Sequence, residues 1–198
     1  MKIKVKKVID IYKYSDKEIS EILKTAMVVV DTREQKNKHI TKWFDDNNIK
    51  WCNEKLDYGD YTIKFLHLGT GREVHLQDIC VVERKANLEE LSGNLTHNRD
   101  RFNSEFLRAK GKIYLLIENA DYEDIREISR TRDSQGNIVR HNVYNTQFDA
   151  KSFRGSLDSF EHDYNLHIHY RKDIEYSGQF IYRTLIGALR SLLKKGVF

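Results

Sequence analysis

The chain has 198 residues, of which 39% are hydrophobic and 32% are charged. This length suits one domain with its own core, and the composition is typical of a globular protein. No apolar run approaches the roughly 18 residues that span a bilayer, and the N-terminus lacks the apolar segment of a secretory signal. We therefore expect a cytoplasmic protein with no membrane-spanning segment.

The charge balance permits a polyanionic partner without requiring one, because 34 Lys and Arg face 30 Asp and Glu. Basic residues are concentrated at 84–108 and 126–140. Cys52 and Cys80 form no C-x-x-C pattern, so neither a zinc site nor a structural disulfide is predicted. The absence of proline and the abundance of Lys, Asn and Ile suggest an AT-rich genome, bacterial or viral.

The first 26 residues are predicted to form an N-terminal extension packed on a core domain of residues 27–198. Alternating apolar residues at positions 3, 5 and 8 predict an opening strand. Ser15 followed by Glu18 has the spacing of a capping box, which predicts a short helix through about Ala26.

Hydrophobic periodicity predicts the later elements in chain order. A buried strand at 27–30 ends on Asp31, and a helix follows around Trp43 and Phe44. Strands at 49–56, 61–68 and 74–84 are predicted to form a meander, followed by helices at 88–95 and 98–110, a strand at 113–117, a helix at 122–129, a loop or hairpin at 130–145, a helix around 153–160, a strand at 166–170 and a helix at 174–193. This order predicts an α/β fold with a mixed central sheet flanked by helices.

The residues with the clearest chemical pattern are Asp60 and, after 22 intervening residues, Glu83-Arg84-Lys85. Glu83 and Lys85 are two apart on a predicted strand, so both side chains point to one face and Arg84 points to the other. Carboxylates that hold Mg²⁺, together with a nearby ammonium, are the groups that phosphodiester hydrolysis needs. The pattern alone also fits an exposed strand with ordinary surface charges.

Three segments contain or precede these residues, namely Val30-Asp-Thr-Arg-Glu34, Leu56-Asp-Tyr-Gly-Asp-Tyr61 and Val82-Glu-Arg-Lys85. In order and spacing they resemble the signatures V-D-x-R-E, L-x-x-G-D-Y and E-R-K-x-x-x-D of the XPF-type structure-specific endonucleases. The likeness continues through Leu91-Ser-Gly-Asn-Leu95 and Phe153-Arg-Gly-Ser-Leu157. It therefore covers the chain from about residue 27 to the C-terminus.

The resemblance implies a restriction-endonuclease-like fold of the PD-(D/E)XK superfamily and metal-dependent cleavage of branched, flapped or junction DNA. It implies that Asp31, Asp60 and Glu83 are catalytic residues that bind Mg²⁺ or Mn²⁺, and that Lys85 is the catalytic lysine. Arg33 and Glu34 would support the site. A homodimer and roles in DNA repair or recombination are also implied, without a small-molecule cofactor.

Six arginines are predicted to bind DNA. Arg99 and Arg154 match basic positions of the family, and Arg132 and Arg140 belong to a polar segment, 130–145, that is longer than the family connection. The complete set is Arg84, Arg99, Arg101, Arg132, Arg140 and Arg154. The alternative for segment 130–145 is a solvated insertion without a role in binding.

Two departures from the family pattern leave questions open. The acid expected after Glu83-Arg-Lys85 is represented by Glu89 or, with a one-residue insertion, by Glu90, which we predict as a supporting residue. No helix-hairpin-helix module follows the nuclease segment, so a stand-alone domain is expected and its DNA substrate is open. A non-catalytic DNA-binding subunit and a sequence-specific duplex endonuclease are the alternative functions.

Overall fold

The computed structural model describes residues 13–146 and 148–196, so the strand predicted around residues 3–8 lies outside the described residues. The helices of the described part are α1 (Asp16–Thr25), α2 (Lys38–Asp46), α3 (Leu88–Thr96), α4 (Arg99–Arg108), α5 (Ala150–Asp163) and α6 (Ser177–Lys195). The strands are β1 (Met27–Asp31), β2 (Trp51–Glu54), β3 (Tyr61–Leu66), β4 (Glu73–His75), β5 (Cys80–Lys85), β6 (Lys112–Glu118), β7 (Glu127–Arg132), β8 (Ile138–Asn142) and β9 (Leu166–Arg171).

Seven of these strands form one mixed sheet in the order β2-β1-β3-β5-β6-β9, with β4 paired to β3. Strand β1 runs parallel to β2 and antiparallel to β3. Strands β5, β6 and β9 run parallel to one another. Their carboxyl ends therefore lie at one edge of the sheet, where Lys85 and Glu118 end β5 and β6.

Helices cover both faces of the sheet, which confirms the predicted fold class. Apolar residues of α1, α2 and α6 pack against one face, and those of α3, α4 and α5 pack against the other. Strand β5 contacts both layers of helices. Val82 packs in the core with α1, α2 and α6, and Val81 packs in the core with α3, α4 and α5. No described helix combines the length and apolar character that a membrane span requires.

Helix α1 begins at the predicted capping box. The Ser15 side chain accepts a hydrogen bond from the backbone of Glu18, whose carboxylate accepts one from the Ser15 backbone. Ile19 and Ile22 of this helix are buried in the layer that contains α6. The helix thus packs on the core, while the predicted division of the chain after residue 26 stays a prediction.

The predicted meander at 49–84 is wrong in its pairing. Strand β2 pairs with β1 and not with β3, because β1 lies between them. The single strand predicted at 74–84 is two short strands, separated by a turn in which Ile79 and Cys80 donate backbone hydrogen bonds to Leu76 O. Leu76 is fully buried, so its side chain anchors this turn in the core.

The helix predicted at 122–129 is also wrong. Asp121 caps a single 3₁₀ turn, Tyr122–Asp124, and the chain then enters β7. Strands β7 and β8 form a separate antiparallel hairpin, which settles segment 130–145 as a hairpin. Its turn is closed by Asp133, whose carboxylate accepts hydrogen bonds from the backbone of Gln135 and Asn137.

Candidate active site

The alternation of β5 places Glu83 and Lys85 on the face covered by α3 and α4. Both side chains are buried, with exposed fractions of 4% and 6%. Asp60 reaches the same place from the turn before β3, because its backbone N–H donates to Val82 O at 2.9 Å and its Oδ2 accepts from Arg84 N at 2.7 Å. The sheet therefore brings together three of the four predicted catalytic residues.

Gly59 is required for this approach. Its φ is +72°, and a Cβ added there would lie 2.8 Å from the Cβ of Val81. A side chain at this position would therefore both strain the backbone and push the turn away from β5. Glycine before Asp60 allows the carboxylate to lie beside Glu83.

The three side chains form an electrostatically strained group. Lys85 Nζ donates to Glu83 Oε1 at 2.6 Å, whereas Glu83 Oε2 is buried without a hydrogen-bond partner. Burial, and then the Glu83 charge, raise the pKa of Asp60 well above its ordinary value. Burial likewise raises the pKa of Glu83; it would lower that of Lys85, but the charges of Glu83 and Asp60 raise the Lys85 pKa.

Asp60 and Glu83 fit a hard divalent cation in their chemistry. Two neighbouring carboxylates, one with an unpartnered buried oxygen, are a typical partial ligand set for Mg²⁺, which takes its other ligands from water and substrate phosphate. Among residues 13–146 and 148–196, no group of three or more His, Cys, Asp or Glu side chains has a ready-made metal arrangement. The described residues thus supply two carboxylate ligands and not a complete coordination sphere.

An open cleft of about 320 Å³ lies in front of these carboxylates. Its walls come from the loop after β1 and from helices α3 and α4. The lining residues are Arg33, Asp60, Glu83, Lys85, Glu90, Asn94, Asn98, Arg101, Phe102 and Glu105. The mixture of acids and arginines suits a phosphate group held against a cation.

Asp31, predicted as a metal ligand, already uses both carboxylate oxygens within the protein. Oδ1 accepts from Arg33 N at 2.6 Å and Nε at 2.8 Å, and Oδ2 accepts from Arg33 Nη2 at 2.8 Å and Leu56 N at 2.7 Å. Burial would raise the Asp31 pKa, but these hydrogen bonds lower it. Binding a metal there would require Asp31 to give up some of these contacts.

The two candidate glutamates of α3 point in different directions. Glu90 lines the cleft, accepts from Ala86 N at 2.9 Å and lies 3.9 Å from Lys85 Nζ. The Glu89 carboxylate instead accepts from Asn145 N at 3.1 Å, at the base of the hairpin. The geometry therefore favours Glu90 as the acid near the catalytic residues.

Arg84 points away from the cleft, into a buried ion-pair network. Its guanidinium donates to Glu118 Oε2 at 2.6 and 2.8 Å and to Glu34 Oε1 at 3.2 Å. His39 Nε2 lies 2.8 Å from the other Glu118 oxygen. Because Arg84 is only 7% exposed, these contacts argue against the predicted DNA contact, and we reassign it to the support of β5.

The other arginines predicted to bind DNA are exposed or partly exposed and lie in three places. Arg101 lines the cleft, and Arg99 lies on the same helix with its guanidinium 5.9 Å from the Phe160 ring centre. Arg132 and Arg140 lie on the hairpin, where Arg140 contacts Glu127 and Asp149. Arg154 lies on α5, over the ring of Tyr122.

Four lining residues were missed by the motif comparison, namely Asn94, Asn98, Phe102 and Glu105. Phe102 packs beside the lysine, with Lys85 Nζ 5.1 Å from its ring centre. Arg101, Phe102 and Glu105 lie 3, 4 and 7 residues after Asn98, the N-cap of α4, so these residues share one face of the helix. This periodicity is visible in the sequence, but not which partner that face meets.

The layered mixed sheet, with acids and a lysine at the end of a central strand, has the arrangement expected of a restriction-endonuclease-like fold. An ERCC4 domain model matches residues 30–184. The chain therefore belongs to the ERCC4 domain family, which confirms the predicted resemblance to XPF-type nuclease domains.

Solved structures support the same fold. XPF from Aeropyrum pernix aligns with a TM-score of 0.51 and 14% identity over 84% of this chain. XPF from Aeropyrum pernix in complex with DNA aligns with a TM-score of 0.53 and 16% identity, again over 84% of this chain. The alignments span only 60% and 64% of those two chains. No curated protein sequence matches this chain.

Proposed function

We propose that the protein is a Mg²⁺- or Mn²⁺-dependent endodeoxyribonuclease that cleaves branched, flapped or junction DNA. The observation that carries this proposal is the pairing of Asp60 with a Glu83 carboxylate whose Oε2 is buried and unpartnered. A bound cation would offset the repulsion between the two carboxylates.

In this proposal Asp60 and Glu83 hold the cation, which would activate a water and neutralise phosphate charge. Lys85 orients the attacking water and balances negative charge on the phosphate, since its ammonium is fixed by Glu83 at 2.6 Å. Asp31 acts through Arg33, which it holds at the rim of the cleft where the guanidinium can contact a phosphate oxygen.

The test is a cleavage assay with linear duplex, flap, fork and four-way junction DNA in Mg²⁺, Mn²⁺ or EDTA. Asp60→Asn and Glu83→Gln should abolish metal-dependent cutting of branched DNA, while Glu21→Gln, an exposed acid on α1, should leave it unchanged. Cutting that survives both active-site substitutions would refute the site. DNA binding without cutting would favour the non-catalytic subunit, and cutting of linear duplex at fixed positions would favour a sequence-specific endonuclease.

We also propose a homodimer that uses the outer surface of α6. This helix buries Ile181, Leu185, Leu189 and Leu193 in its own core, yet Ile186 and Ala188 remain only half-buried. The family resemblance implies a homodimer, and these two side chains are apolar groups of α6 that a second copy could cover further. Light scattering over a concentration series should show a dimer, and a monomer at every concentration would contradict this proposal.

A further inference from the structure

A second and larger groove, of about 850 Å³, lies between the β7–β8 hairpin and helix α5. Tyr122, Arg126, Ile128 and Arg130 line one side, and Lys151 and Arg154 line the other. None of these residues belongs to the catalytic cleft. The groove is therefore a separate surface feature, with β7 on one side and α5 on the other.

The groove carries an excess of positive charge. Its four basic side chains, two from each wall, share the lining with two carboxylates, Glu127 and Asp158, and Arg154 also lies 4.0 Å from Glu123. Glu127 contacts Arg140 on the neighbouring strand, at 3.3 Å. Within residues 13–146 and 148–196, no ion pair engages Arg126, Arg130 or Lys151. These cations are available to an anionic ligand.

The pairing of β7 with β8 places two further arginines on the same face of the hairpin as Arg130. Arg130 lies directly opposite Arg140, and Arg132 lies opposite Ile138, so the three arginines share one face. Like charges directly opposite each other destabilise a strand pair. Arg140 is neutralised by Glu127 and Asp149, whereas no such contact relieves Arg130 in the described structure. A phosphate at Arg130 would supply the missing counter-charge.

The same groove exposes apolar and aromatic surface. Tyr122 is 42% exposed and Ile128 is 59% exposed. The Arg154 guanidinium lies 4.8 Å from the Tyr122 ring centre, a cation–π contact that joins the two sides of the groove. Aromatic and apolar surface beside cations is the combination that binds unpaired bases with their phosphates. A duplex keeps its bases stacked inside and cannot use such a surface.

The fold connects this groove to the catalytic cleft in two ways. Tyr122 follows β6 and Lys85 ends β5, and these parallel strands share their carboxyl edge. Helix α3 is the second connection, because it contacts both regions. Its Glu90 lines the cleft, whereas its Ser92 contacts Thr146 at 2.7 Å, at the base of the hairpin. A DNA strand that leaves the cleft along this edge would run toward Tyr122 and the groove.

We infer that the groove binds the unpaired strand of a branched DNA substrate. Its bases lie against Tyr122 and Ile128, and its phosphates contact Arg126, Arg130 and Lys151. The inference rests on the proposed nuclease function, since it names the part of the substrate that positions the scissile bond. It also assigns Arg130, at the start of the 130–145 segment, a role in substrate choice.

The first test measures binding in EDTA, so that it does not depend on cleavage. Fluorescence anisotropy compares a labelled single-stranded oligothymidylate with a blunt duplex of equal length. The double variant Arg130→Gln/Lys151→Gln should weaken single-strand binding about tenfold. Its plot of log affinity against log salt should lose about 0.7 in slope per phosphate contact removed. The control Lys17→Gln/Lys42→Gln, on α1 and α2, carries the same charge change outside both linings and should bind normally.

A second variant tests the shape of the groove without changing its charge. A Cβ added at Gly155, on the α5 wall, meets no atom within 4 Å, so substitutions there are compatible with folding. Gly155→Met should narrow the groove and weaken single-strand binding, whereas Gly155→Ala should not. An oligonucleotide that carries 5-iododeoxyuridine should crosslink to Tyr122 on irradiation.

Equal single-strand affinity in the basic double variant and its control would overturn the inference, as would equal losses for single strand and duplex. Crosslinking that avoids Tyr122 would also count against it. These results are distinguishable from failure of the proposed function. A protein that binds single strands through the groove but cuts nothing refutes only the nuclease, and one that cuts branched DNA with unchanged binding in the groove variants refutes only the groove.

Discussion

Lys85 Nζ lies 2.6 Å from Glu83 Oε1, while the other oxygen of the same carboxylate is buried and unpartnered. The lysine therefore satisfies one oxygen of the carboxylate and leaves the other unpartnered, in a residue that lines the cleft together with Asp60. This division explains how one residue pair can both hold a cation and position an ammonium beside it. It also makes the lysine, the carboxylates and the supporting network separately testable.

Lys85→Met should reduce single-turnover cleavage by about 10²- to 10³-fold, the cost of removing one fixed charge that stabilises a transition state. The substitution retains much of the apolar stem that packs near Phe102, so the fold should persist. Circular dichroism and rapid-quench cleavage would check both points. Unchanged cleavage in the folded variant would contradict the role of Lys85.

Asp60→Asn should raise the melting temperature in EDTA, because it removes one of two neighbouring buried carboxylates. A gain of about 1 kcal/mol corresponds to roughly 2–4 °C for a domain of this size. Added Mn²⁺ should then raise the melting temperature of the unsubstituted protein but not that of Asp60→Asn. Equal Mn²⁺ shifts in both proteins would place the ion elsewhere.

Arg84→Met should destabilise the protein by about 3–5 kcal/mol, because it leaves Glu118 and Glu34 buried without their cation. Urea unfolding measures this loss. Lys42→Met, which removes an exposed partner of Asp46, should cost no more than about 1 kcal/mol. If Arg84→Met instead retained stability and lost DNA affinity, the predicted DNA-binding role would be restored.

His169 should make stability depend on pH on the acid side. Burial, followed by the charges of Arg171 and His167, lowers its pKa below the ordinary value of 6.5, so the unfolded chain binds the proton more readily. Its contribution to stability is therefore lost as the pH falls through about 6.5 and below. His169→Phe and His169→Gln should both reduce the difference in urea midpoint between pH 7.5 and pH 5. Midpoints that change with pH as in the original protein would contradict this role.

The faces of β5 on which Glu83, Arg84 and Lys85 lie were predictable from sequence. Strand alternation fixes that Glu83 and Lys85 share a face and that Arg84 faces the other way, whatever surrounds the strand. The order and spacing of the three motifs predicted the family. The order of the helices and strands predicted the mixed sheet. The capping box at Ser15 was equally local, since it depends on residues only three apart.

Tertiary structure decided what each of these residues contacts. The insertion of β1 between β2 and β3 overturned the meander, because pairing depends on contacts distant in sequence. The fold also brought the backbone N–H of Leu56 to Asp31 and paired Arg84 with Glu118, two contacts between segments that no single motif contains.

The contrast between Asp60 and Asp31 shows the same physical limit. Both acids sit in family motifs, yet one lies beside Glu83 with a raised pKa and the other has a lowered pKa through its hydrogen bonds. The sequence by itself determined the fold class and the identity of the chemical groups, because periodicity and motif spacing are local properties. Only the folded chain decided which carboxylates remain available to a cation, because the burial of Asp60 and Glu83, and the contacts of Leu56 with Asp31 and of Arg84 with Asp60, join segments far apart in sequence.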